Sequence, residues 1–499
     1  MSPVAFIGID VGTSACKTVL VDEFGQVIHS HVSSYPTRRT TSGEVTQRPA
    51  DWLRAVQSGL RSCAAELRGH HVEAIAVTAP AHVAVLADEA GRPLLPALLA
   101  FDQRPAAAAA RLRLRYGEEL FRRTFVELTA GWTLSQLSWL RETFPSVWPR
   151  IRWLLTQKDW IRFSLTGFVG IDSTDAAGTA MMDQRRREWI IPICADVGLS
   201  SEQLPPILDA TSPAGSLSAS WARRTGLRAG IPFAAGATDT AAELLSVGAV
   251  SPGTSLAKIA STGTFVAVTV EPVIDRRLLI YPHPNPGLWY VLGATNTAAT
   301  AYQWFCRTAL ALEEHPRIEY EAMDRLASKA PPGAAGVLFI PFLEGNRTPH
   351  WDPDLRGAFL GLSSAHGPTH LARAVLEGVC YAIADCRDAV VGSGTSAGRP
   401  FLGGGGIASQ LWRDILIAVL GTPAWLVSPQ GPAIGAAVIA AHLGSSGPIR
   451  PWPPQHRRII RPRRSWAQRY ANLRPIYQAA VERIAEPSHR LVEAGRQRS

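Results

Sequence analysis

The chain has 499 residues, of which 46 % are hydrophobic and 18 % charged, a balance that excludes a disordered chain and exceeds one ordinary core. The net charge is +9, yet twelve arginines face three glutamates between Ile449 and Ser499, so the whole surplus sits in the tail. The body is neutral, which argues against a nucleic-acid groove running through it.

The start reads as strand, turn, strand. Val4–Ile9 is apolar and β-rich, Asp10-Val11-Gly12-Thr13-Ser14 is a turn, and Lys17–Asp22 alternates again. Met1–Gly12 lacks the basic start of a signal peptide, and Asp10 interrupts its apolar run. Glu23-Phe24-Gly25 turns the chain into Gln26–Val32. Pro49 opens a helix to Leu67 with Trp52, Leu53, Val56 and Leu60 on one face. Strands Val72–Thr78 and Val83–Ala87 follow. Halfway along, the opening pattern recurs: Leu256–Ala260, the turn Ser261-Thr262-Gly263-Thr264, then Phe265–Val270. Two such units suggest two similar halves, with a boundary near Val247–Ser255.

No charge occurs between Asp414 and Arg450, but Ser428–Pro432 breaks this stretch into Ile415–Val427 and Ala433–Leu443. Both pieces are shorter than the ~20 residues a bilayer-spanning helix needs, so they read as buried core helices. The tail reads as a solvated arginine face and a closing helix over Trp466–Val492, with Leu473, Tyr477, Val481 and Ile484 on its apolar side. Six cysteines (Cys16, Cys63, Cys194, Cys306, Cys380, Cys386) show neither CxxC nor metal-ligand spacing, which fits a reducing, cytoplasmic setting.

A phosphate site needs backbone N–H groups and hydroxyls that approach oxygen closely, which glycine permits. The G-x-x-x-x-G-K-[ST] loop is absent, because none of the four lysines follows a glycine. Three turns remain as candidates: Gly12-Thr13-Ser14, Ser261–Thr264 and Gly403–Gly406. Each alone also reads as an ordinary hairpin or helix-entry turn. Asp239, after the apolar run Ile231–Ala235, reads either as a helix cap or as a reactive carboxylate.

With these residues on view, the chain resembles the FGGY family of carbohydrate kinases, within the actin, sugar-kinase and chaperone-ATPase superfamily. Gly8–Ser14 with Lys17 is similar to the family's first phosphate loop. Gly131, Thr133, Leu137, Trp139, Leu140 and Glu142 fit its first signature, with Gln136 in place of the usual lysine. Gly357, Phe359, Gly361 and Leu362, then His370, Leu371, Ala374, Val375, Leu376 and Glu377, fit the second. Glu344–Pro349 and Asp102-Gln103-Arg104 point toward xylulokinases within the family.

The resemblance implies an α/β fold of two actin-like (ribonuclease H-like) domains flanking a cleft: 1–250 on the sugar side, 251–443 on the ATP side, and 444–499 as an Arg-rich tail. It implies ATP-dependent phosphorylation of a small sugar, a pentulose-type ketose first, with another polyol, an aldonate or a cyclitol as alternatives and a non-catalytic sugar sensor behind them. Asp239 is the implied general base, and Asp10 with Asp239 the implied Mg ligands. Ala81, His82, Asp102, Asp239 and Thr240 are implied on the sugar. Gly12, Thr13, Ser14, Lys17, Gly263, Thr264, Gln303, Gly404, Gly405 and Ser409 are implied on ATP. His370 and Glu377 read as structural. No nucleic-acid or membrane partner is expected, and a homodimer stays open. The departures fall in the sugar pocket: xylulokinases carry Gly-Gln-Met-His and Trp-Asn-Asp where this chain has Ala79-Pro80-Ala81-His82 and Ala100-Phe101-Asp102.

Overall fold

The first apolar run forms β1, Val4–Val11, which pairs antiparallel with β2, Ala15–Asp22, and β2 pairs likewise with β3, Val27–Ser34. Gly25 turns between β2 and β3 at φ +83°, a conformation that suits glycine. Helix α1, Pro49–Ala65, starts with proline in its first turn and buries Trp52, Val56, Leu60 and Cys63. The chain returns parallel to β1 as β4, His71–Ala79. Further on come α2, Gln157–Thr166, and the short α3, Ser173–Gly178. Strand β5, Ala237–Thr238, adds parallel to β4 and leads directly into α4, Asp239–Val247. The computed structural model describes residues 3–40, 42–309 and 320–496.

A second unit repeats this plan. Strands β6, Ser255–Ile259, and β7, Gly263–Thr269, form an antiparallel pair, with β8, Trp289–Thr295, beyond β7. Helices α5, Ala299–Ala309, α6, Tyr320–Ala327, and α7, Pro368–Gly392, precede β9, Pro400–Gly403, which runs parallel to β6. Helix α8, Gln410–Leu420, then leads to β10, Ala424–Ser428, parallel to β9. The orders β3-β2-β1-β4-β5 and β8-β7-β6-β9-β10 are the same: an antiparallel pair with one strand beyond it, then two parallel additions. The recurrence read in the sequence is thus a duplication of the fold.

Two expectations change. The piece Ile415–Val427 was expected as one helix, but it ends at Leu420, where Gly421 adopts φ +65° and Pro423 follows, and its remainder is β10. Residues 251–443 were expected as one domain. The first unit instead takes the chain up to Val250 together with Ile280–Trp289 and Ser428–Gln455, and the second takes the rest. The late helix Pro432–Ala441 belongs to the first unit because small residues let it reach the β1 backbone. A Cβ on Gly8 would lie 1.9 Å from the Ala433 carbonyl oxygen, and one on Gly435 would lie 1.8 Å from that of Ala242. Gly8→Val should therefore force backbone apart and destabilise by ~1–3 kcal/mol or more, read as a lowered Tm by circular dichroism.

The tail helix spans Arg464–Arg496 and buries Leu473, Tyr477 and Val481 of the expected apolar face, with Tyr470 besides, while Ile484 is half-buried. Tyr470 donates to Glu377 (2.7 Å), which also pairs with Arg373 (2.7 Å) and accepts the Gly333 N–H (2.9 Å). Glu377 is structural. All six cysteines are buried and unpaired, and no helix among the described residues is long and apolar enough to cross a membrane.

Candidate active site

Strand β4 runs parallel between β1 and β5, and Thr78 is the register partner of Asp10 on one side and of Ala237 on the other. Three loops therefore leave one carboxyl edge: Gly12–Ser14 after β1, Pro80–His82 after β4, and Asp239 after β5. Two strand spacings put the Asp10 and Ala237 backbones about 10 Å apart, and Asp239 follows two residues after Ala237. Such edges are where open α/β sheets bind ligands.

The Gly12–Ser14 turn is held from behind. The Tyr35 hydroxyl donates to the Gly12 carbonyl, and Gln47 Nε2 donates to the Thr13 carbonyl at 2.8 Å. Gln47 is itself fixed by Trp52 Nε1 at 2.9 Å. Lys17 is exposed on β2 directly opposite Asp10, on the same sheet face. Asp239 is not the helix cap. Thr238 takes that position, and half-buried Asp239 is the first residue of α4, accepting from the Thr240 N–H at 2.6 Å. Its carboxylate sits at the positive end of the helix dipole. Asp10 and Asp239 supply the hard carboxylate oxygens that suit a water-rich Mg shell.

Half-buried His82 follows β4 with φ +72°. Its Nδ1 lies 2.7 Å from the Gly178 carbonyl, an acceptor only, so Nδ1 carries the proton and Nε2 accepts from the Tyr281 hydroxyl at 3.2 Å. The ring stands edge-on to Trp132 at 4.3 Å. Ala81 lies beside Gly178, where an added Cβ would sit 3.1 Å from its own. Asp102, expected on the sugar, is elsewhere. It is 0 % exposed, and its carboxylate accepts from the Val45 N–H (2.9 Å) and from Arg104 through the backbone N–H (3.1 Å) and guanidinium (2.7 Å). A carboxylate so occupied has no face for hydroxyls, and Asp102 clamps its own turn to the strand at Val45.

Sequence reasoning missed what lies behind Asp239. Lys158 on α2 is 0 % exposed and meets Asp159 (2.6 Å), Asp172 (2.6 Å) and Asp175 (3.1 Å). Arg162 pairs with Asp159 at 2.8 Å and donates to the Ala235 carbonyl at 2.7 Å. Burial pushes the Lys158 ammonium down, but the three carboxylates pull it above the usual lysine value. Burial raises the Asp175 carboxyl well above its ordinary range, partly offset by Lys158. Two cations face three acids here, so a proton on Asp175 makes the cluster neutral. The three carboxylates lie within ligand distance of one another, and the ammonium occupies the place of a cation among them. Trp132, Tyr281 and this cluster carried no motif beyond a lysine and acids set among apolar residues.

The second unit has its own carboxyl edge. The β6–β7 turn is pinned to the start of α5: the Ala298 N–H donates to the Ser261 carbonyl at 3.0 Å, and Thr300 Oγ1 donates to it at 3.0 Å. Gly263 opens β7 where a Cβ would meet Ile383 and Thr295 at 2.8 and 2.9 Å. Thr264 Oγ1 is buried without a hydrogen-bond partner, the kind of polar atom a phosphate oxygen would satisfy. Gln303 is exposed on α5. After β9, Gly404 turns at φ +80° against the Ile259 carbonyl, and a Cβ on Gly405 would meet open space. The Ser409 hydroxyl caps α8 by accepting the Trp412 N–H (2.9 Å) and donates to Asp324 (2.6 Å). It is thus part of the turn's own framework.

A duplicated sheet of this order, with glycine–hydroxyl turns at both carboxyl edges and two carboxylates at one, defines a phosphotransferase of the sugar-kinase and actin type. The chain belongs to the FGGY family of carbohydrate kinases, whose N-terminal domain matches residues 5–246 and whose C-terminal domain matches 256–443. It is 31 % identical over 439 residues to the xylulose kinase of Escherichia coli K12, covering 87 % of this chain and 89 % of that one. Against the xylulose kinase of Bacillus subtilis 168 it is 30 % identical over 440 residues, 87 % of each. The crystal structure of a xyloylose kinase from Brucella ovis superimposes with a TM-score of 0.86 at 29 % identity, over 98 % of this chain and all of that one.

Proposed function

We propose that this carbohydrate kinase transfers the γ-phosphoryl of Mg-ATP to a hydroxyl of a small ketose of the pentulose class, with Asp239 as general base. The observation that carries the reading is the shared carboxyl edge, where Asp239, Asp10 and the His82 loop leave neighbouring parallel strands. Asp239 takes the proton of the attacking hydroxyl. Asp10 and Asp239 would hold the magnesium, which neutralises charge on the phosphates when bound. In the first unit the Gly12 turn, with Thr13, Ser14 and Lys17, is assigned to phosphate oxygens; in the second, the Gly263 turn with Thr264 is assigned to phosphate oxygens and the Gly404–Gly405 turn, with Gln303 and Ser409, to the nucleoside. Ala81, His82 and Thr240 line the sugar, whereas Asp102 holds its loop from inside. Most of the acceleration comes from positioning and charge stabilisation.

Pro80, Ala81, Ala100 and Phe101 stand where xylulokinases carry polar or larger side chains. Each buried hydroxyl left unmatched costs ~1–3 kcal/mol, so D-xylulose itself is expected to fall behind another sugar of the panel. The test is a coupled ADP-release assay over pentuloses, hexuloses, polyols, aldonates and cyclitols. Highest kcat/KM for D-xylulose by a clear margin would refute this pocket argument. A sensor would bind sugar and nucleotide and release no ADP with any of them.

A further inference from the structure

We propose that the six-residue helix α3 is a positioning clamp that fixes the general base and the substrate loop as one body, with Thr174 and Lys158 as its positioning residues; this rests on Asp239 being the base. Both ends of α3 grip the site. At its start, the Thr174 hydroxyl accepts the Thr238 N–H at 2.8 Å, one residue before Asp239, and donates to Asp172 Oδ1 at 2.5 Å. At its end, the Gly178 carbonyl accepts His82 Nδ1–H at 2.7 Å. All six residues of the helix are buried.

The clamp is anchored from below. Lys158 Nζ meets Asp172 Oδ2 at 2.6 Å and Asp175 Oδ2 at 3.1 Å, one acid before α3 and one within it. Arg162 holds the chain just ahead of β5 through the Ala235 carbonyl. Strand β5 is two residues long and pairs with β4 along one edge, so Thr174 meets the N–H on its other edge. A hydroxyl in that place sets where the backbone turns into α4, and hence where the Asp239 carboxylate starts. The His82 loop is set from the same six residues, so base and sugar contacts keep a fixed separation. A misplacement of about 1 Å at such a centre costs ~10²-fold in rate.

The experiment is steady-state kinetics on the full chain with the best sugar of the panel. Thr174→Val keeps the side-chain shape and removes the hydroxyl. Its kcat should fall about 10- to 100-fold while KM for ATP stays near the parent's. Thr174→Ser should restore most of the loss, whereas a fold that merely lost stability would show a reduced active fraction at unchanged kcat per folded molecule. Combining Thr174→Val with Asp239→Asn should cost little beyond Asp239→Asn alone, because the clamp acts through that carboxylate. Parental kcat in Thr174→Val, no rescue by serine, or fully multiplicative losses in the double variant would each overturn the clamp. Undiminished turnover in Asp239→Asn alone would instead overturn the base, and the clamp with it.

Discussion

Asp239→Asn is expected to lower sugar-dependent ADP release by about 10²–10⁴-fold, or ~3–5 kcal/mol of barrier. Asparagine keeps the size of the side chain and can still accept the Thr240 N–H at the first position of α4. What it loses is basicity. Fold and ATP affinity should stay close to the parent's, because the proposed nucleoside contact lies on the Gly404–Gly405 turn and a proposed phosphate contact on the Gly263 turn, away from Asp239 in sequence. Turnover with the best sugar, ATP titration by calorimetry and a circular-dichroism melt read the three quantities separately. Turnover within about threefold of the parent would remove Asp239 as base, since general-base loss costs far more than that. Asp102 would not be the replacement, because its carboxylate is fully buried and committed to Val45 and Arg104. Asp10 is the other carboxylate at that edge.

What could be read from the sequence was what repeats or alternates locally. The runs flanking Gly12 and Gly263 alternate with a period of two, and both emerged as antiparallel pairs in matching sheets. Pro49 and the spacing of Trp52, Val56 and Leu60 gave α1 to within two residues of its end. Long-range assignments were less legible. Nothing in Pro432–Ala441 says which sheet it covers, since a helix apolar all round fits either; the contact of Ala433 with Gly8 decides it. Asp102 shows the same limit at a single residue. Its motif places it near a pocket, but only the fold shows its oxygens occupied by Val45 and Arg104. The acids behind Asp239 were invisible because a buried lysine and a surface lysine look alike in sequence.

Lys158→Met should cost ~3–5 kcal/mol of stability, the usual effect of removing one partner from a buried charge cluster. That is a large share of the 5–15 kcal/mol typical of a folded domain. Methionine fills the volume of the lysine stem, so the loss is electrostatic rather than a cavity. Asp159, Asp172 and Asp175 would remain, essentially unexposed, with Arg162 their one nearby cation among the described residues. The pH dependence has a definite sign. Burial already raises the Asp175 carboxyl above its unfolded value, and Lys158 opposes that shift, so its removal raises the carboxyl further. A carboxyl raised in the folded state binds its proton more tightly there than in the unfolded chain. Its contribution is therefore complete below the unfolded value, near 3.9, and is lost as pH climbs toward the folded one. The Tm deficit of Lys158→Met should accordingly be smaller at about pH 5 than at about pH 8. Adding Asp175→Asn removes one uncompensated carboxylate and should recover part of the loss at neutral pH. Equal melting of Lys158→Met and the parent at both pH values would mean that water or a rearranged Arg162 compensates the acids. An unrecovered double variant would place the cost at Asp172, the acid that holds Thr174 and, through it, the backbone leading into Asp239.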